Sequence, residues 1–411
     1  MSCDDIDEGA LTSYPKALAT VLAKVSKKGT TTVSIADALG HYLAEPAVAQ
    51  HDAPRFEQSS MDGFAVRVAD VSGPLFISGE LPAGNARQMR LAVGETIKVF
   101  TGSRLPAGTE AVVMKEFVAV DDDTATITRA VSAGDHIRRV GEEFKQGTEI
   151  IPMGTHITPP VVGMLAFLGL GEILVGMRPS ATVITMGDEL VAPGEEAGDG
   201  QIHDANGPAM VAAMHALGIT EVRHQRVSDD PAKLETAMAQ GIAESDVLIT
   251  VGGASVGDHD HVHSARAKLG INDLFAKVAI KPGKPNLFGL AQNGVPVWGL
   301  PGNPVSALVS YHQLVKPALI AMMGGHHESQ KLSVIANQEI RPNKGRLNWL
   351  RGTLKFVATD PPRTTADLVA GQGSHMLSGL ALADVLLEIP ADTDGFGPDT
   401  TFSAVPLKWR D

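Results

Sequence analysis

Three near-continuous apolar runs constrain the fold more than any other feature: "ATVITMG" from Ala181, "DVLITVGG" from Asp246 and "VPVWGLPG" from Val295. None alternates as a strand with one wet face does, so each reads as a strand buried on both faces. Helical segments stand between and after them. "NGPAMVAAMHALG" starts at an Asn and ends at a Gly, and "DDPAKLETAMAQGIA" carries Asp caps and Pro231 at its first turn. "ITEVRHQRV" adds a strand, and the third apolar run leads into the long helix "PVSALVSYHQLVKPALIAMMGG". Strands alternating with helices predict a parallel sheet with helices on both faces. The ligand site is then expected beyond the carboxyl ends of the strands.

A chain of 411 residues is too long for one ordinary core, and its other regions read differently. "SYPKALATVLAKVSKKG" is an amphipathic helix with a stop at Gly29. From Pro54 to Arg139 short β-rich runs are broken by Pro-Ala-Gly turns, with "VDDDTATI" as a hairpin tip, which predicts an inserted all-β unit. After the break "GGHHESQ", five further strand-like runs follow with no helix between them, and predict a C-terminal β-barrel or sandwich.

The net charge of −13 argues against general nucleic-acid binding and requires a local basic pocket for any anionic substrate. Cys3 is the only cysteine, which excludes disulfides within the chain and cysteine-built zinc sites. The segment "MSCDDIDEGALTS" is acidic and has no apolar core, so it does not read as a secretory signal. The longest apolar run, "VVGMLAFLGLGEILVGM", contains Glu172 and four glycines and reads as a helix followed by a strand, not a membrane span. We expect a cytoplasmic protein that binds neither nucleic acid nor membrane.

Four loops at strand ends carry the chemistry. In "TMGDELV", Asp188 and Glu189 directly follow a buried strand, where Asp188 also suits helix capping. In "TVGGASVGDHD", Gly252, Gly253 and Gly257 leave backbone N–H groups open to an anion, Ser255 adds a hydroxyl, and Asp258 and Asp260 add carboxylates. A phosphate held beside Mg²⁺ needs that mixture. In "FAKVAIKPGKPNLFG", Lys277, Lys281 and Lys284 either form an anion pocket or guard a strand edge. In "WGLPGNPVSALVS", Asn303 suits a helix cap, Pro304 the first helical position, and Ser306 adds a hydroxyl. Gly299 and Gly302 would let the backbone approach a ligand, so the segment reads as an anion-facing helix start. "DHDHVH" places His259, His261 and His263 beside two aspartates, but it opens a helix and short matches of this kind seldom bind metal.

Taken in order, "SSMDGFAVR", "FTGSRLPAG", "GDELV", "GGASVGDHDHV", "AIKPGKPNLFG", "GLPGNPVSA", "LRGTL" and "GQGSHML" resemble the molybdopterin molybdenumtransferase family, the MoeA proteins and the E domain of gephyrin. The resemblance spans nearly the whole chain. It implies a multidomain α/β plus β fold with an elongated, L-shaped subunit. Its parts are a discontinuous first domain (residues 1–50 and 140–178), an inserted β-rich domain (51–139), a three-layer α/β molybdopterin-binding domain (179–328) and a C-terminal β-barrel (329–411). It also implies a homodimer whose composite active site joins the α/β domain of one subunit to the inserted domain of the other. The implied reaction inserts molybdate into adenylyl-molybdopterin with release of AMP and assistance by Mg²⁺. An upstream molybdopterin adenylyltransferase would supply the substrate, and downstream molybdoenzymes or their chaperones would take the product.

The family's catalytic positions match Asp62, Thr101, Glu189, Asp229, Asp260, Lys277 and Lys281, with Glu189 and Asp260 as the implied metal ligands. Positions implied to bind molybdate or molybdopterin match Gly252, Gly253, Ser255, Lys284, Pro285, Pro301, Pro304, Ser306, Arg351 and Ser374. Molybdate is a tetrahedral dianion, so Lys, Arg and Ser donors suit it. The chain departs from the usual pattern at Gln58 and Glu143 and in the histidines of "GDHDHV". Two other functions are open to the residues. An adenylyltransferase of the same pathway would share the α/β domain but carry "GGTG" where this chain has "GGAS", and a non-catalytic pterin-binding scaffold would carry an appended domain or long linker.

Overall fold

The computed structural model describes residues 11–85, 87–253, 261–327, 330–341, 344–358, 362–393 and 395–407, so the expectations for Ser255, Gly257, Asp258, His259 and Asp260 fall outside the described residues. The chain forms two compact units, one of Pro46–Pro152 with Gly163–Leu170 and one of the remainder.

The larger unit is built on a six-stranded sheet in the order Val222–Val227, Ala181–Met186, Val247–Val251, Pro296–Leu300, Pro285–Leu290, Asn272–Lys277. The first four strands are parallel, as the alternation with helices predicts, and the last two are antiparallel. The sheet is therefore mixed. "FAKVAIKPGKPNLFG" folds back on itself because the link between its strands is too short for a parallel crossover, which needs a dozen or more residues.

Alternation along the central strands makes three layers. Val183 packs with Met210 and Met214 of helix Asn206–His215 and with Leu314 and Leu319 of the helical run from Pro304. Ile184 and Met186 pack on the opposite side with Leu234 and Met238 of helix Pro231–Glu244 and with Val262 and Ala265 of helix His261–Lys268. Helix Pro231–Glu244 starts as its sequence predicts: the Asp230 carboxylate accepts from the N–H groups of Ala232 and Lys233, and Pro231 takes the first turn. The long helix widens to a π segment at Tyr311–Val315 between Pro304–Ser310 and Lys316–Met322. Pro317 lacks an N–H and crowds the preceding turn, and the wider turn before it relieves both defects.

Strands Leu332–Ala336, Leu347–Val357, Arg363–Leu368, Val385–Ile389 and Thr401–Pro406 close into a five-stranded barrel over Val334, Leu387 and Phe402. A short helix, Leu377–Ala381, interrupts the run of strands where the sequence shows none. The two-residue strand Ile280–Lys281 pairs in parallel with Leu347 and Asn348, so the segment between the sheet's two antiparallel strands joins the barrel. Helix Tyr14–Lys24 buries Ala17 and Val21 in the same core, and strand Thr30–Ser34 pairs with Glu172–Gly176.

The smaller unit carries a six-stranded sheet in the order Ala111–Met114, Gly63–Val66, Glu95–Val99, Leu75–Leu81, Thr124–Ile127, Val118–Asp121. The expected hairpin tip falls at Asp122, whose φ is 50°. Among the described residues no helix is long and apolar enough to cross a membrane.

Candidate active site

The carboxyl ends of the four parallel strands gather the loops that the sequence singles out. Asp188 does not cap a helix. Its N–H donates to Asp229 Oδ2 at 3.4 Å while the Asp229 N–H donates to Asp188 Oδ1 at 3.2 Å, so the pair ties two neighbouring strand ends together. Glu189 is exposed beside them, and its carboxylate lies over Gly187, where a Cβ would come within 2.2 Å of it. One strand end also carries a buried polar network that the sequence reading missed. Thr185 Oγ1 donates to Asp204 Oδ2 at 2.6 Å and lies 2.9 Å from His224 Nε2, which is 3.1 Å from the same carboxylate. Burial alone would raise the Asp204 pKa, but hydrogen bonds from His224, the Gly207 N–H and Thr185 hold it down at about 2. Two residues on, Asn206 Nδ2 donates to the Gly302 carbonyl at 2.7 Å and so fixes the loop of the fourth strand.

That loop differs from its expected form in three ways. Gly299 serves sheet packing and not ligand approach, since a Cβ there would lie 2.8 Å from Leu287. Asn303 holds the cap position, but its side chain caps nothing. The Val305 N–H donates instead to the Ser374 carbonyl at 3.1 Å, so the barrel caps this helix and one supposedly open N–H is already satisfied. Gly302 is exposed and stands in ordinary contact with Gly252: its Cβ would lie 3.5 Å from the Gly252 Cα. Gly252 and Gly253 have φ of 97° and 63°, conformations that favour glycine.

Beside this loop, between sheet and barrel, lies a cavity of about 470 Å³. Lys281, Lys284 and Pro285 line it from the sheet, Ser306 from the helix start and Ser374 from the barrel, which brings together five of the expected site residues, one of them, Lys281, an implied catalytic position. Four further lining residues, Arg341, Arg346, Asn348 and Gln372, were not singled out. The pairing of Lys281 with Asn348 places two of them there, and nothing local in a single sequence reveals that register. Among the described residues the one lining carboxylate, Glu339, accepts from Arg341 Nε at 2.9 Å. Among the described residues no carboxylate pairs with Lys281, Lys284 or Arg346. Burial and the neighbouring Arg346 charge hold the Lys281 pKa below the usual lysine range. On a chain of net charge −13, this is a local excess of cations that calls for an anion.

Lys277, Pro301, Pro304 and Arg351 do not line the cavity. Arg351 is fully buried beneath the turn that carries Ser374. Its Nη2 donates to the carbonyls of Gly371 at 2.7 Å and Gly373 at 3.2 Å, and Gln372 clasps its backbone from both sides. Its Nε and Nη1 find no acceptor among the described residues, and burial lowers its pKa.

In the smaller unit, Asp62 and Thr101 meet although 39 positions separate them. The Thr101 N–H and Oγ1 both donate to Asp62 Oδ1 at 2.9 Å, and Lys115 Nζ lies 3.8 Å from Oδ2. The Thr101 N–H, then its hydroxyl, lowers the Asp62 pKa.

Residues 12–169 match the MoeA N-terminal region (domain I and II), residues 182–321 a probable molybdopterin binding domain, and residues 333–407 the MoeA C-terminal region (domain IV). A molybdopterin molybdenumtransferase of Haemophilus influenzae is 33% identical over 387 residues, 92% of this chain and 94% of that protein. Molybdopterin molybdenumtransferase 2 of Mycobacterium tuberculosis is 34% identical over 375 residues, 88% of this chain and 91% of that protein. The crystal structure of the molybdopterin biosynthesis moeA protein from Pyrococcus horikoshii aligns with a TM-score of 0.83 at 28% identity, over 97% of this chain and 100% of that one. With relatives of this identity along most of its length and three matched regions in the family's order, the chain belongs to the MoeA family of molybdopterin molybdenumtransferases.

Proposed function

We propose that this protein is a molybdopterin molybdenumtransferase of molybdenum cofactor biosynthesis, inserting molybdate into adenylyl-molybdopterin with release of AMP. The observation that carries the reading is the cavity lined by Lys281, Lys284, Ser306 and Ser374, whose lysines have no carboxylate partner among the described residues. Ammonium and hydroxyl donors suit a tetrahedral dianion. A volume of about 470 Å³ exceeds what such an ion needs and leaves room for part of an organic substrate. The loops at the strand ends, with Gly252 and Gly253, would receive the pterin and its phosphates.

Mg²⁺ takes carboxylate and phosphate oxygens. Glu189 and Asp229 offer such oxygens at adjacent strand ends. Among the described residues no three acidic or histidine side chains gather closely enough to hold a metal alone. The donor set therefore fits an ion completed by water and substrate phosphate, with Glu189 and, outside the described residues, Asp260 as its protein ligands. When bound, it would neutralise charge on the cleaved pyrophosphate. Asp62 and Thr101 act, in this reading, across a homodimer on substrate held by the partner subunit. The Thr101 N–H and hydroxyl favour the ionised form of Asp62, which suits it to hold a positive group.

The test is incubation of the purified protein with adenylyl-molybdopterin, Mg²⁺ and molybdate, following AMP release and reconstitution of a cofactor-free molybdoenzyme. Molybdate-dependent AMP release with reconstitution is expected. Adenylation of molybdopterin from ATP without molybdate would make the protein an adenylyltransferase, and binding without turnover would make it a scaffold.

A further inference from the structure

Arg346 stands out among the cavity residues. Both of its neighbours are pinned, since the Gly345 N–H donates to the Ala391 carbonyl at 2.8 Å and the Leu347 N–H to the Ala279 carbonyl at 2.9 Å. Asn348 Nδ2 donates to the Arg346 carbonyl at 2.7 Å. In the parallel pairing, Lys281 lies opposite Asn348. Arg346 stands at the bend just before strand Leu347–Val357 and lines the same cavity as Asn348 and Lys281. Neither Arg346 nor Lys281 has a carboxylate partner among the described residues. Among the described residues the charged lining groups are Lys281, Lys284, Arg341, Arg346 and Glu339, with Glu339 engaged by Arg341. Two adjacent cations on a rigid backbone without a counter-ion repel each other until an anion arrives, and the repulsion is relieved most by a doubly charged one.

We propose that Arg346 is a further oxyanion-binding residue of this cavity, which with Lys281 selects a tetrahedral dianion over a monoanion of the same shape. The proposal rests on the reading of the cavity as the molybdate site and adds to it a residue and a source of charge selectivity. Coulomb energy scales with ligand charge, so loss of one cation costs a dianion about twice as much free energy as a monoanion.

The test compares binding of molybdate and perrhenate, tetrahedral oxyanions of charge −2 and −1, to the wild-type protein and to Arg346→Gln, Arg346→Lys, Lys281→Gln and Lys284→Gln. Arg346→Gln is expected to weaken molybdate binding roughly ten- to a hundred-fold and perrhenate binding only about three- to tenfold. Arg346→Lys should retain most of the charge selectivity. In Arg346→Gln, Lys281 loses a repelling neighbour, so the loss of molybdate binding with rising pH should begin at higher pH than in the wild type. A collapsed pocket would weaken both ions equally and leave the pH profile in place, and that result overturns the proposal. If Lys281→Gln and Lys284→Gln weaken molybdate binding while Arg346→Gln does not, this proposal alone falls. If none of the variants changes molybdate binding, the reading of the cavity falls with it.

Discussion

At the scale of single residues, the two anchored aspartates respond differently to acid. Asp204 is buried, and its pKa is lowered from 3.8 to about 2. A lowered carboxylate pKa stabilises the fold in full above the unfolded value, and that contribution disappears as the pH falls through the folded value. Here it amounts to about 2–3 kcal/mol, present above about pH 4 and lost toward pH 2. Asp204→Asn should therefore lower stability at pH 7 by that order and flatten the acid limb of a denaturant-unfolding series measured against pH. Asp62 is held low by two donors from Thr101 and is half-exposed. Thr101→Val removes the hydroxyl but keeps the N–H, so the Asp62 pKa should rise part of the way toward its ordinary value in an NMR titration of the side-chain carboxyl. No change in that titration would show that the hydroxyl contact is absent in solution.

At the scale of elements, the strand that carries Gly63 leaves no room for a side chain there. That strand runs so close to Ala111–Met114 that a Cβ on Gly63 would sit 2.0 Å from the Val113 carbonyl oxygen, and backbone cannot move aside as a flexible side chain can. Gly63→Ala should cost the smaller unit about 3 kcal/mol or more, seen as early loss of hydrogen-exchange protection at Phe64–Val66. The glycine of "MDGFAV" was legible as a motif, but this reason for it was not. The same division runs through the rest of the fold. Apolar runs and the Asp230–Pro231 helix start were legible because their causes lie within a few residues. The Ser374 carbonyl capping Val305 and the Asn348–Lys281 pairing were not, because their partners stand more than sixty positions apart. For the same reason Lys281, Lys284, Ser306 and Ser374 could be named but Arg346 and Gln372 could not. Arg351 in "LRGTL" could be named too, yet its guanidinium lies beneath the Gly371–Gly373 turn, a placement that only the folded barrel supplies.

For the whole molecule, the proposed composite site makes a prediction that no single subunit can satisfy. Asp62→Ala and Lys281→Ala should each be nearly inactive. When their subunits are exchanged, half of the dimers are mixed, and each mixed dimer holds one intact site, so about a quarter of wild-type AMP release should return. No recovery in a mixture shown to exchange subunits would rule out a shared site. The smaller unit also interrupts the larger one in the chain, since Pro46–Pro152 stands between segments that belong together. The Thr12 N–H must wait for the Lys277 carbonyl, and Thr30–Ser34 for Glu172–Gly176. During synthesis the smaller unit is complete at Leu170, about a hundred residues before Lys277 leaves the ribosome. At about 5–20 residues per second, that is a head start of roughly 5–20 s. If the smaller unit folds as it emerges, a nascent chain in that interval would present the Asp62–Thr101 pair before its own anion cavity exists.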